Sequence, residues 1–315
     1  MRILFAADLH GADLIFKKCL KSAETYEVSA LILAGDLTAK DIRPIIKKDG
    51  NSYLVNYRDK KEVVTTAELK KIEEALASMG HYFFHCSETE LEDLKEKQDK
   101  IFKIMDEKIL ERLEYWAETV IRQIDLTKTT VFITPGNDDI LKIDSLLSRY
   151  EDKGIHTNLL QPYIFPSNEM ISLDYSNPTP WDTPRECKED ELAKMIKKKV
   201  KQLKDPGKAI FNFHCPPVDT RIDLAPKLDK NLKPVIIPGV DTSIHVGSKA
   251  VREMIEDCQP VLGLHGHFHE SPGVDRIGKT ICLNPGSEYW NGIIHGYIID
   301  IDNEGNVSKY FRIEG

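Results

Sequence analysis

Ile3-Leu4-Phe5-Ala6-Ala7 runs directly into Asp8-Leu9-His10, a short apolar run ending in two residues able to bind a metal. The pattern recurs four times. Leu31-Ile32-Leu33-Ala34 runs into Gly35-Asp36, and Val131-Phe132-Ile133-Thr134 into Pro135-Gly136-Asn137-Asp138-Asp139. Ile210-Phe211-Asn212-Phe213 runs into His214, and Val261-Leu262-Gly263-Leu264 into His265-Gly266-His267. Such runs read as buried strands of an α/β sheet, and these sheets place their chemistry just past the carboxyl ends of the strands. Five endings carrying Asp, Asn and His point to one metal site assembled from across the chain.

The spacing supports this. At an extended strand end, residues i and i+2 point the same way, so Asp8 and His10 can reach one ion. His265 and His267 repeat the spacing and can serve one ion or two adjacent ones, with Gly266 letting the backbone bend close. Asp36 has two oxygens with which to bridge two cations. Asn137 adds a neutral carbonyl oxygen suited to a hard or borderline metal. Three oxygen donors and four imidazoles are too many for one open catalytic ion and fit two ions sharing a bridge. Two ions roughly 3.5–4 Å apart generate a bridging hydroxide and clamp a phosphoryl oxygen, so in-line hydrolysis of a phosphate ester is the natural reaction. Each piece alone has a plainer reading: a structural Asp-x-His, a Gly-Asp turn, a core His214. Only their joint occurrence in strand context carries the metal reading.

The series DLH, GDL, GND, FHCP and HGH resembles the calcineurin-like metallophosphoesterase superfamily, whose pattern is D-x-H, G-D, G-N-H-D/E, H and G-H-x-H. The likeness spans residues 8 to 267. Asn284-Pro285-Gly286-Ser287 also looks like a turn of its smaller phosphodiesterase-like members, and SNPTPWDTP (176–184) resembles a prokaryotic branch of predicted phosphoesterases. The resemblance implies a four-layer αββα sandwich, two mixed sheets face to face with helices outside. It implies a first metal on Asp8, His10, Asp36 and His267, and a second on Asp36, Asn137, His214 and His265. Two departures stand out. Asp138 occupies the place of the usual histidine, which stabilises the transition state or protonates the leaving oxygen. Asp138 cannot be a cation, and acts as an acid only with a raised pKa; an enzyme of this kind would lean on its metals and favour good leaving groups. Leu264 stands where a glycine precedes His-x-His.

The 315 residues suit one large domain with an insertion, or two domains. A formal net charge of −8 disfavours non-specific binding to nucleic acid or anionic membrane. Cysteines 19, 86, 187, 215, 258 and 282 form no CxxC pair and read as reduced, mostly buried thiols of a cytoplasmic protein. The N-terminal apolar run is too short for a signal peptide, and no run approaches the roughly 18 apolar residues of a membrane span.

Along the chain, a helix is expected over 12–25 with Leu14, Cys19, Leu20 and Ala23 on its apolar face. Residues 39–128 read as an insertion. Strands at 42–46 and 53–57 flank Asp49-Gly50-Asn51, a helix runs from Thr65-Thr66 to Met79, and a long helical stretch covers 88–125. The stripe Leu91, Leu94, Ile101, Met105, Ile109, Leu113, Trp116, Val120 and Ile124 fits a core face, with a lid or a homo-oligomer contact as other uses. His81 and His85 read as loop histidines without catalytic duty. Sitting between the second and third motifs, the insertion can wall the metals and set substrate choice. Residues 174–186 read as an ordered loop, 188–203 as a charged helix whose Lys197-Lys198-Lys199 is solvated, and 216–246 as largely loop. A helix capped by Ser248 reaches Cys258, and strands follow at 280–283, 293–301 and 309–313. The backbone at His245-Val246-Gly247-Ser248 can hold an anion, Arg185 and Arg221 can meet a phosphate, and Trp181 and Trp290 can shape a pocket; cap, loop and core are the plainer readings.

The expectation is a dinuclear-metal phosphoesterase acting on a small phosphodiester or phosphomonoester, nucleotide-type by analogy, with two divalent ions (Mn, Fe, Zn, Ni or Co). The alternatives are a binding module that keeps the fold and recruits partners through the insertion, a nuclease of the same superfamily, and a single-zinc hydrolase.

Overall fold

In the strand Arg2–Ala7, Ile3, Phe5 and Ala7 belong to one core and Leu4 and Ala6 to another. That is the period of two in a strand buried on both faces, and it repeats in Ala30–Ala34 and Thr130–Thr134. The computed structural model describes residues 1–58, 60–157 and 159–315. Among these, one six-stranded sheet runs in the order Val307–Glu314, His295–Ile301, Arg2–Ala7, Ala30–Ala34, Thr130–Thr134, Ile155–His156. Its last four strands are parallel and its first two antiparallel. A second six-stranded sheet runs Gly273–Ile277, Thr280–Asn284, Leu262–Leu264, Ile210–Phe213, Glu169–Leu173, Tyr163–Ile164, parallel through its middle four strands.

The two sheets meet through Ile3, Phe5, Ile32 and Phe132 on one side and Met170, Ile210, Leu262 and Leu283 on the other. The outer face of the first sheet is covered by the helices Asp13–Thr25, Gln98–Gln123 and Ile143–Ser148. The outer face of the second is covered by Glu189–Val200 and Lys249–Cys258. The result is the four-layer αββα sandwich of two mixed sheets. All six cysteines are free and four are buried. Among the described residues no helix is long and apolar enough to cross a membrane.

The region 39–128 differs in detail from its expected form. The hairpin pairs Ile42–Lys47 with Ser52–Tyr57, and Lys60–Thr65 and Tyr82–Cys86 extend it to four strands. His85 therefore lies in a strand rather than a loop and meets Glu73 at 2.7 Å; His81 meets Asp41 at 2.6 Å. The long helical stretch breaks into Glu88–Lys95 and Gln98–Gln123. No apolar residue lies between Leu94 and Ile101, so nothing packs to hold the turn around Lys97. Leu14 is exposed, while Ile15, Phe16, Cys19, Leu20 and Ala23 make the buried face of its helix.

The stripe on Gln98–Gln123 faces the chain's own core. Trp116 is fully buried, stacks on Phe16 with ring centres 4.6 Å apart and donates its indole N–H to Asp13 at 2.7 Å. Arg112 donates to the carbonyl of Gly11 and pairs with Asp13 at 2.9 Å, tying this helix to the segment just after His10. Trp116→Ala is expected to destabilise the protein by about 3–5 kcal/mol in urea unfolding. Phe102→Ala, at a side chain 65% exposed, is expected to cost under about 1 kcal/mol. Equal costs would mean that the helix is not part of the core.

Candidate metal centre

The strand Arg2–Ala7 stops before the first candidate ligand, and the backbone then turns left-handed. Asp8 has φ 57°, His10 φ 44°, Asp36 φ 38° and His267 φ 72°. Asp8 and His10 thus converge through a sharp turn and not as an extended strand end. Non-glycine residues in this region are uncommon, Asp and His tolerate it better than most, and such positions cluster at functional sites.

Two groups of donor atoms form, each with its atoms within 4.8 Å of one another: Asp8, His10, Asp36 and His269, and Asp36, His214 and His267. Asp36 is common to both. Asn137 joins the second group, its Oδ1 2.9 Å from His214 Nε2, while Asp36 Oδ1 lies 3.3 Å from that nitrogen. His269 Nε2 faces His10 Nε2 at 3.0 Å.

The structure therefore corrects the assignment of the last motif. His265 is in neither group. Its Nδ1 lies 2.8 Å from the carbonyl oxygen of Phe213 and 3.2 Å from that of Cys215, and its ring folds back along its own strand. A Cβ on Gly263 would come within 2.6 Å of His265 Nε2, so glycine there makes room for the ring. The G-H-x-H pattern is met by Gly266-His267-Phe268-His269, two residues later than expected, and the departure at Leu264 disappears. Gly266 does allow a close approach: a Cβ there would lie 2.6 Å from Asp8 Oδ2.

Side chains without a motif of their own hold these loops in place. Asp139 is fully buried and accepts from the backbone N–H of Gly136, Leu37 and Thr38 and from the Thr38 hydroxyl, lashing the second motif to the third. Asn137 Nδ2 donates to Thr183 Oγ1 at 2.8 Å, and Thr183 donates to Glu186. The 174–186 loop thus orients the Asn137 amide so that its oxygen is left for the site. Ser287 donates to the carbonyl of Asp8 at 2.7 Å, and Asn284 Nδ2 to that of Phe268 at 2.9 Å, so the Asn-Pro-Gly-Ser turn braces both ligand loops.

The weaker candidates resolve differently. Arg185 is not a phosphate contact. It is 1% exposed and its guanidinium binds Asp174, Asp144 and the carbonyls of Asp139 and Ile140. Arg221 lies outside the cavity above the site, and its backbone N–H donates to Asp275. At the helix after Ser248 the N–H groups of Lys249 and Ala250 already bind Glu189, and His245 pairs with Asp223. Trp181 lines the cavity; Trp290 stands outside it, its ring centre 6.2 Å from that of His269.

Electrostatics make the donor set fit divalent cations. Burial pushes Asp8 up to about 7, with Asp36 adding to the rise and His214 opposing it. Burial alone would lower His214, but Asp36 and then Asp8 push it up to about 9. Burial holds His267 at about 3 and His269 at about 4, with His214 and Lys40 respectively adding to the fall, so both rings are neutral. His267 Nε2 is buried with no hydrogen-bond partner among the described residues. Crowded carboxylates, neutral imidazoles and an unpartnered ring nitrogen are what a pair of cations would satisfy.

Two measurements check this. Manganese calorimetry on His269→Ala is expected to lose about one of two bound ions, while His265→Ala keeps both and loses only stability. Metal loading near pH 7.5 is expected to release protons, because His214 carries a proton below about 9 and must lose it to become a ligand. Calorimetry in two buffers of different ionisation enthalpy reads this directly, and no buffer dependence would contradict it.

No family model matches the chain. A stretch of 118 residues, 37% of the chain, is 35% identical to the uncharacterized protein MJ1162 of Methanocaldococcus jannaschii and spans about half of that relative, 47% of its length. One solved structure aligns with a TM-score of 0.54 at 16% identity, covering 99% of this chain and 98% of its own. TT1561 of Thermus thermophilus aligns at 0.50 and 13%, covering 100% and 97%. The structure of a novel archaeal phosphodiesterase, at 0.41 and 10% with both chains fully covered, is too distant to argue from. Identities this low speak for the fold alone, which this chain shares with the first two of these structures.

Proposed function

We propose that this protein is a metal-dependent phosphoesterase that hydrolyses a small phosphodiester or phosphomonoester at a two-metal centre. The observation that carries the reading is the pair of donor groups sharing Asp36. Asp8, His10, Asp36 and His269 would hold one ion, and Asp36, Asn137, His214 and His267 the other. Mixed nitrogen and oxygen donors suit manganese, iron, zinc, nickel or cobalt. Two such ions would supply an activated water and neutralise the charge of a phosphoryl group.

The chain's own contribution is to shape the site. A cavity of about 500 Å³ opens above the donors, floored by Asp36, Asn137, His267 and His269. Phe102, Met105 and Ile109 of the helix Gln98–Gln123 form one wall, and Trp181 and Phe268 line it as well. A volume of this size takes a small ester. The apolar wall of Phe102, Met105, Ile109 and Phe268 favours an alcohol that carries an aromatic or apolar group, as in a nucleotide-type substrate. In this reading the insertion acts as the wall that selects the substrate.

Chelated protein reloaded with manganese is expected to hydrolyse bis(p-nitrophenyl) phosphate or its monoester, with the diester-to-monoester ratio setting the preferred class. Asp36→Asn is expected to lower turnover at least about 100-fold. Trp181→Ala is expected to raise KM for the aryl ester about tenfold with little change in kcat. Absence of turnover of either ester with two ions demonstrably bound would contradict the reading.

A further inference from the structure

The position at which the resemblance expects a histidine holds Asp138, and an anion there would repel a phosphate. Asp138 does not face the cavity alone: Lys40 Nζ lies 2.5 Å from its Oδ2. Lys40 is the single lysine or arginine among the described residues that line the cavity; Asp36, Asp106, Asp138 and Glu270 there are acidic. Lys142 pairs with Asp106 at 2.5 Å, so that carboxylate does not compete for Lys40.

The backbone that carries Lys40 is fixed to the site. It lies four residues after Asp36. Leu37 and Thr38 donate to Asp139, and Ala39 donates to the hydroxyl of Tyr82 at 3.2 Å. One end of the lysine is therefore set by the Asp36 loop and the other by the Gly136–Asp139 turn. The charge is also felt throughout the centre, acting on Asp36, Asp8, His10, His267 and His269.

We propose that Lys40, its ammonium held by Asp138, is the cationic group that contacts the phosphoryl and leaving-group oxygens of the substrate. The proposal rests on the phosphoesterase reading. Lys40 is the catalytic residue of the pair and Asp138 a positioning residue. An ammonium has three N–H donors, and paired with a single carboxylate oxygen of Asp138 it keeps donors for oxygens that enter the cavity. In the hydrolysis, a water oxygen bonds to phosphorus and its proton passes to solvent. The bond from phosphorus to the ester oxygen breaks with its electron pair on that oxygen, which takes a proton from solvent. Lys40 keeps its own proton throughout and donates hydrogen bonds to the oxygens on which charge builds, doing by charge what the usual histidine does.

The test uses manganese-loaded full-length protein, wild type and Lys40→Met, Lys40→Arg and Asp138→Asn. The probes are inorganic phosphate in calorimetry and a series of aryl phosphodiesters of graded leaving-group pKa. In Lys40→Met, two ions are expected to bind as in wild type, phosphate affinity to fall about 10- to 100-fold, and the loss in kcat to grow as the leaving group worsens. Lys40→Arg should recover most of both, and Asp138→Asn should fall between. Phosphate affinity and leaving-group slope unchanged in Lys40→Met would overturn the proposal, since an ion pair that merely braced the loop would move stability alone. Failure of wild type to turn over any ester, with phosphate affinity still lost in Lys40→Met, would sink the phosphoesterase reading and leave the Lys40 contact standing.

Discussion

Asp8 and Asp36 lie side by side with 0% and 2% exposure, and the rest of the site is arranged around that crowding. Two carboxylates out of contact with water repel one another and lose hydration, a cost that a protein accepts only where positive charge is supplied. Here Asp36 and Asp8 push His214, 3.3 Å from Asp36, up to about 9, and backbone N–H groups of Asp138 and His267 point at the two carboxylates. These partners are stand-ins. Cations would meet the two carboxylates better, since the neighbouring His267 is held neutral with its Nε2 unpartnered among the described residues.

The fold makes the crowding possible by ending five strands at one edge of the sandwich, three from the first sheet and two from the second. Parallel order puts their carboxyl ends together, and the left-handed turns at Asp8, His10, Asp36 and His267 swing the side chains inward. A buried bracing layer keeps those turns in place. Asp139 joins two motifs, Arg185 clamps the backbone of the third, and Thr183 and Ser287 hold Asn137 and the Asp8 segment. Function at the centre then depends on side chains that touch no ligand, as second-layer hydrogen bonds do in metal sites generally.

The strand ends are legible in the sequence because apolar runs followed by Asp, Asn or His are a local signal, and the two-sheet architecture follows from the resemblance they carry. The choice between His265 and His269 is not. His265-Gly266-His267 and His267-Phe268-His269 have the same spacing, and only the tertiary contacts of His265 with the carbonyls of Phe213 and Cys215 remove it from the site. Lys40 gives no signal, because a lysine after a turn is ordinary until Asp138, 98 positions away in sequence, is seen to face it. The strands Lys60–Thr65 and Tyr82–Cys86 escape a sequence reading because they are short, and the first carries three charges in six residues, so strand pairing rather than pattern defines them. The apolar stripe on Gln98–Gln123 is legible as a core face, since Ile109, Leu113, Trp116 and Val120 recur at helical spacing.

The central claim is that two ions share Asp36, and anomalous diffraction from manganese-loaded crystals addresses it most directly. The account predicts two peaks bridged by Asp36, with His10 and His269 on one, Asn137, His214 and His267 on the other, and His265 on neither. A single peak, or a peak ligated by His265 in place of His269, would contradict it.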